Sequence, residues 1–185
     1  MDAPEMSKKL NDAAIWKKVK KAVDAESIGL TAAEWKEFCG RVETHFASRP
    51  ASNRYVVHVD GASRNNPGPA GIGIVIADAA GRTVRECSDF IGEETNNVAE
   101  YRALLRALDL AEEVGARELD IRTDSELMAK QMNGIYRVKN IHLLNLYFEA
   151  QEKLRKFSDY AISQVPREEN RRADILANMA IDSKK

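Results

Sequence analysis

The chain has 185 residues, with 28 Lys and Arg against 29 Asp and Glu and a formal net charge of −1. Its 44% hydrophobic and 31% charged residues describe a soluble globular protein with room for one ordinary domain and a small appendage. No apolar run approaches the ~18 residues of a membrane span. Two cysteines, Cys39 and Cys87, are too few for a disulfide framework and lack zinc-site spacing. With no secretory hydrophobic core at the amino terminus, the expectation is a cytoplasmic protein with free thiols. The near-zero charge neither supports nor excludes nucleic acid, because an acidic centre beside a basic groove averages out.

Ala14, Ile15, Trp16, Val19 and Val23 recur at helical spacing, and Ile28-Gly29-Leu30 interrupts them. Thr31-Ala-Ala-Glu34 has the form of a capping box, in which the Thr31 hydroxyl accepts from an amide one turn on and Glu34 reaches back. Trp35, Phe38, Cys39, Val42 and Phe46 follow on one face. The pattern predicts a helical hairpin over residues 1–50. It is too small to be stable alone, so its apolar stripe has three available places to pack: the main domain, a second copy, or a partner. Small polar residues around Pro50, from Ala47 to Asn53, read as a linker, and the main domain is expected over residues 53–185.

That domain opens with a β-branched strand, Tyr55 to Asp60, expected to end at a turn over Gly61-Ala62-Ser63. Gly71–Ile76 and Thr83–Cys87 flank Asp78–Gly81 as a hairpin. A helix is predicted over Val98–Val114, stopped by Gly115. Then come a strand at Leu119–Thr123, a short helix at Ser125–Met132 and a longer one at Leu143–Phe157. A strand at Tyr160–Val165, stopped by Pro166, and a helix at Arg172–Ile181 close the chain. Hairpins followed by alternating strands and helices give an α/β fold with a mixed sheet.

Four acids stand out by position. Asp60 closes a strand, Glu100 opens the first turn of the long helix, Asp124 ends the next strand, and Asp174 lies in the first turn of the last helix. In such a sheet, strand ends and helix starts converge on one edge. Four carboxylates meeting there need cations between them, and an all-oxygen ligand set selects Mg²⁺ or Mn²⁺ over zinc. Singly, each acid has a structural alternative: Asp-Gly is a common turn, and acids at helix starts offset the macrodipole.

The motifs around the acids resemble those of type 1 ribonucleases H. Asp60-Gly-Ala-Ser-Arg-Asn-Asn-Pro-Gly-Pro-Ala-Gly-Ile-Gly is similar to the family's first motif and Thr95-Asn96-Asn97-Val98-Ala99-Glu100-Tyr101 to its second. Thr123-Asp124-Ser125 is similar to the third, and Val165-Pro-Arg-Glu-Glu-Asn170-Arg-Arg-Ala-Asp174-Ile-Leu-Ala-Asn178 to the fourth. The resemblance covers roughly Asn53 to Ile181. It implies the ribonuclease H-like fold, a five-stranded mixed sheet flanked by helices. It further implies a nuclease that hydrolyses the RNA strand of RNA–DNA hybrids, with Asp60, Glu100, Asp124 and Asp174 ligating two Mg²⁺ ions. Asn66, Asn96 and Asn97 match positions that contact the hybrid near its minor groove, where an amide can pair with a 2′-hydroxyl; ordinary turn chemistry is their alternative. Gly61 and Gly68 would let backbone approach a phosphate.

The chain departs from the family pattern in two places. The loop Ser163–Asn170 has no histidine before the last acid, which leaves Arg167 or Glu168 as the available auxiliaries. The long basic protrusion of some bacterial members is also missing. Between Asp124 and the last strand only Arg137-Val138-Lys139-Asn140 suits a backbone contact, so Lys139 and Asn140 join the substrate candidates. Lys17-Lys18-Val19-Lys20-Lys21 in the hairpin is either a grip on the substrate or a solvated helix face. Another nuclease of the same fold, a non-catalytic binding domain and a protein-interaction module are the competing readings.

Overall fold

The computed structural model describes residues 28–47 and 53–184. The chain divides into two units, Met1–Ser52 and Asn53–Lys185. In the first, helix α1 (Ala32–Ala47) starts as the capping box requires. The Thr31 amide donates to Glu34 Oε2 at 2.8 Å and the Glu34 amide to Thr31 Oγ1 at 3.3 Å. Trp35 and Phe38 stack with ring centroids 5.7 Å apart, and Cys39 is buried. The helix expected around Ala14–Val23, the lysine cluster Lys17–Lys21 and most of the linker lie outside the described residues.

The second unit contains a five-stranded sheet in the order β3-β2-β1-β4-β5. Its strands are β1 (Arg54–Ser63), β2 (Gly68–Ala77), β3 (Thr83–Glu94), β4 (Glu118–Thr123) and β5 (Asp159–Gln164). β1, β2 and β3 pair antiparallel, whereas β1, β4 and β5 run parallel. The helices are α2 (Asn96–Glu113), α3 (Glu126–Met132), α4 (Ile141–Leu154) and α5 (Arg171–Asp182). The mixed sheet with flanking helices agrees with the expected α/β class.

Several boundaries differ from the expected ones, each for a local reason. β1 does not turn at Gly61-Ala62-Ser63; those residues stay paired with Ile72, Gly71 and Ala70 of β2. The turn falls later, where the Arg64 amide donates to the Pro69 carbonyl at 2.9 Å. Gly61 and Gly68 are therefore explained by the protein's own backbone. A Cβ on Gly68 would stand 1.7 Å from the Arg64 carbonyl oxygen, and one on Gly61 would meet α2. β3 runs on to Glu94, because Ser88 and Asp89 conceal a strand that continues to pair with β2. α4 starts early, capped by Asn140, and ends at Leu154; the Ser158 amide is bonded to the Arg117 carbonyl at 2.8 Å.

α2 carries the core. Its Ala103, Leu104, Ala107, Leu108 and Ala111 are buried on one face, in a cluster with Val57, Val59, Leu119 and Ile121 of the sheet and Leu143, Ala150 and Leu154 of α4. Each fully buried Leu or Ile contributes roughly 1.5–3 kcal/mol. A buried hydrogen bond from the Tyr101 hydroxyl to Gln131 Oε1 at 2.9 Å ties α2 to α3. α5 packs on β1, β2 and β3, held by Ser88 Oγ donating to the Leu176 carbonyl at 2.7 Å and by a two-pronged Arg172–Glu86 pair at 2.8 and 2.6 Å. Among the described residues no helix is long and apolar enough to cross a membrane, and Cys39 and Cys87 are free.

Candidate metal centre

The parallel register of β1 and β4 pairs Val57 with Ile121 and His58 with Arg122. Two residues further on, Asp60 comes level with Asp124, which directly follows β4 and is near enough for its charge to raise the Asp60 carboxyl. Thr123 Oγ1 accepts from the Ser125 amide at 3.0 Å, and Ser125 caps α3, so the chain is fixed on both sides of Asp124. Glu100 arrives from α2. That helix begins at Asn96, with Thr95 as its cap, so Glu100 lies in its second turn rather than its first. Asp174 is in the first turn of α5.

All four acids line one polar cavity of about 260 Å³, together with Arg64, Asn96, Arg167 and Asn178. Burial, followed by the charges of Asp124 and Asp174, pushes the Asp60 carboxyl up to about 7. Burial and the charges of Asp60 and Asp124 raise Glu100 well above the carboxylate range, although a backbone hydrogen bond from Gly61 opposes this. Glu100 Oε2 is buried with no hydrogen-bond partner. An orphaned carboxylate oxygen among three further acids has the chemistry of a cation ligand. Among the described residues no three His, Cys, Asp or Glu side chains are already closed into a metal-binding cluster. Asp174 is turned to Arg167 Nη2 at 2.8 Å and to Asn178 Nδ2 at 3.3 Å.

The other predicted site residues divide. Asn96 lines the cavity, and its amide donates to Asn66 Oδ1 at 2.8 Å, tying the β1–β2 turn to the start of α2; Asn97 is exposed beside it. Lys139 is exposed before α4 and does not line the cavity. Asn140 accepts from the His142 and Leu143 amides at 2.8 and 3.3 Å, so its oxygen serves as a helix cap. Of the two loop candidates Arg167 reaches the acids, while Glu168 is exposed outside the cavity lining. Sequence reasoning gave no role to Asn170, which is completely buried and donates to Asp124 Oδ1 at 2.8 Å. Its signal was a neutral amide four residues before the last acid. Arg64 and Asn178 were also passed over.

The raised carboxyls couple stability to pH. Without metal, folded Asp60 keeps its proton up to about pH 7, whereas the unfolded chain loses it near about pH 4. Between those values the folded state binds more protons. Stability is therefore fully present below about pH 4 and falls as pH rises toward about 7; Glu100 shifts in the same direction. Melts in EDTA are expected to show Tm falling from about pH 5 to about pH 8, with a flatter slope in Asp60→Asn. A wild-type Tm that rises over that range contradicts this electrostatic picture.

The family model described as reverse transcriptase-like matches residues 58–180. Ribonuclease HI of Halobacterium salinarum is 44% identical over 129 residues, covering 70% of this chain and 65% of that protein. The bifunctional protein Rv2228c of Mycobacterium tuberculosis is 46% identical over 131 residues, covering 70% of this chain and 36% of its own length; the chain thus spans two thirds or less of these curated relatives. The solved N-terminal RNase H domain of Rv2228c superposes with a TM-score of 0.68 at 45% identity, over 70% of this chain and 99% of that one. The LC11 RNase H1, solved in complex with an RNA/DNA hybrid, gives a TM-score of 0.68 at 43% identity, over 70% and 98%. With matching motifs, topology and family model over more than half its length, the chain belongs to the type 1 ribonuclease H family.

Proposed function

We propose that residues 53–185 form a metal-dependent endoribonuclease that hydrolyses the RNA strand of RNA–DNA hybrids, leaving 5′-phosphate and 3′-hydroxyl ends. The observation that carries this is the buried, unpartnered Glu100 Oε2 on the cavity shared with Asp60, Asp124 and Asp174, on a ribonuclease H domain. Asp60, Glu100, Asp124 and Asp174 would hold two divalent cations, Mg²⁺ or alternatively Mn²⁺. When bound, such a pair supplies positive charge at the attacking and leaving oxygens of a phosphodiester displacement. Asn96, which lines the cavity, together with Asn66, bonded to it, and Asn97, next in the chain, would pair with 2′-hydroxyls of the RNA strand, and Lys139 would meet a backbone phosphate. Free thiols at Cys39 and Cys87 suit a cytoplasmic setting.

Arg167 takes the loop auxiliary role. Its guanidinium is bonded to Asp174 and also lowers the Asp60 carboxyl, so it offsets charge on two of the acids. Arg167→Ala is expected to slow single-turnover cleavage about 10–100-fold, more than Glu168→Ala. Wild-type rates for both variants in Mg²⁺ and in Mn²⁺ would remove the loop from the mechanism.

The reading is tested by offering the full chain an end-labelled RNA–DNA hybrid, duplex RNA and duplex DNA, in Mg²⁺ and in EDTA. Cleavage confined to the RNA of the hybrid, and abolished by EDTA, is expected. Cutting of duplex RNA at an equal rate would point to another nuclease of the same fold, and no cutting to a binding domain.

A further inference from the structure

Asn170 uses every polar atom of its buried amide. Nδ2 donates one hydrogen to the Val59 carbonyl at 2.9 Å and the other to Asp124 Oδ1 at 2.8 Å. Oδ1 lies 3.3 Å from Nδ1 of His58. This company fixes the amide's orientation. Turned over, Oδ1 would face a carbonyl and a carboxylate, both acceptors, and each group left buried and unpaired costs about 1–3 kcal/mol. The ring of His58 therefore carries a hydrogen on Nδ1, directed at Asn170 Oδ1.

The position of Asn170 matters as much as its bonds. It is the cap residue of α5, and its carbonyl accepts from the Asp174 amide at 3.1 Å. One residue thus touches the backbone of the strand bearing Asp60, the carboxylate of Asp124, and the first turn that carries Asp174. Asp124 sits beyond the end of its strand among like charges that push it toward solvent. A donor anchored at the same time to β1 opposes that swing.

We propose that Asn170 is a positioning residue that fixes the Asp124 carboxylate relative to Asp60, and that His58 supports it by donating to the amide oxygen on the far side. The inference rests on the reading of the four acids as a metal centre. Deletion of such a supporting partner typically weakens metal affinity or activity 10–100-fold. His58 is two residues from Asp60 on the same strand face, and an aromatic ring without a donor in its place would leave the buried Asn170 Oδ1 unpaired and the amide less firmly held.

The test uses the full chain and its variants Asn170→Ala, His58→Phe and His58→Asn. An Asn at position 58 offers an N–H close to where Nδ1–H lies. Mn²⁺ affinity is measured by calorimetry without substrate, alongside single-turnover cleavage of the hybrid and melts in EDTA. Asn170→Ala is expected to lose about 10–100-fold in Mn²⁺ affinity and in kcat while KM for the hybrid stays within about twofold. His58→Phe should show a smaller loss of the same kind, and His58→Asn should recover most of it. Wild-type Mn²⁺ affinity in Asn170→Ala, or no recovery by His58→Asn, would overturn the proposal. If Asn170→Ala fails to fold, the two His58 variants decide, since neither removes the amide that meets Asp124. Failure of the wild type to cut the hybrid would sink the nuclease reading separately, because the order of Mn²⁺ affinities still judges the relay.

Discussion

Asp124→Asn is expected to leave the chain folded and to reduce hybrid cleavage at least about a thousandfold. An amide matches the carboxylate in shape, and its oxygen can still accept from Asn170 Nδ2, now at 2.8 Å from Asp124 Oδ1. What disappears is one negative charge from the cavity proposed to hold cations. A lost ligand of that kind costs several kcal/mol of transition-state stabilisation, and every 1.36 kcal/mol is tenfold in rate. The same substitution removes a charge that raises both Asp60 and Glu100. The variant is therefore expected to melt higher than wild type in EDTA at about pH 8, where unrelieved repulsion is greatest. Loss of activity with gain of metal-free stability distinguishes a damaged site from a damaged fold. Single-turnover rates and paired melts check both.

Gly61→Ala is expected to damage fold and site together. A Cβ there would stand 2.2 Å from the carbonyl carbon of Ala99 and 2.2 Å from the amide nitrogen of Glu100. Both are backbone atoms of α2, so no side chain can rotate away. Either α2 lifts off the sheet or β1 bends out of its ladder with β2. Overpacking of this type costs about 1–3 kcal/mol and sometimes more. Glu100 is displaced by the same movement, and a misplacement of about 1 Å can lower activity about a hundredfold. Chemical denaturation and cleavage rates measured on one preparation test this. Wild-type stability and rate would mean that β1 and α2 are not packed as described.

Residues whose role is set by their own neighbours in sequence were legible in advance. Thr31 and Glu34 form their capping box because the partners are three residues apart, and the apolar spacing of α2 identifies its buried face. The four acids were legible because each is attached to a recognisable strand end or helix start, and the parallel crossover brings those ends together. What escaped depends on partners distant in sequence. The turn expected at Gly61-Ala62-Ser63 fails because β2 continues to pair with those residues. β3 was cut short because Ser88 and Asp89 look like a loop until β2 and α5 supply partners. Gly61 was assigned to a phosphate when the atoms closest to it belong to α2. Asn140 is a local exception: it was grouped with substrate contacts, although amides only two and three residues on, those of His142 and Leu143, bond its oxygen. Asn170 could not be read at all, since its partners Val59 and Asp124 lie 111 and 46 residues away.

The most direct measurement is an anomalous-difference map from crystals of the full chain soaked in Mn²⁺. Manganese density between Asp60, Glu100, Asp124 and Asp174, with Glu100 Oε2 as a ligand and the density lost in Asp124→Asn, is the result the account predicts. Manganese bound elsewhere, or none between the four acids at saturating metal, would contradict it.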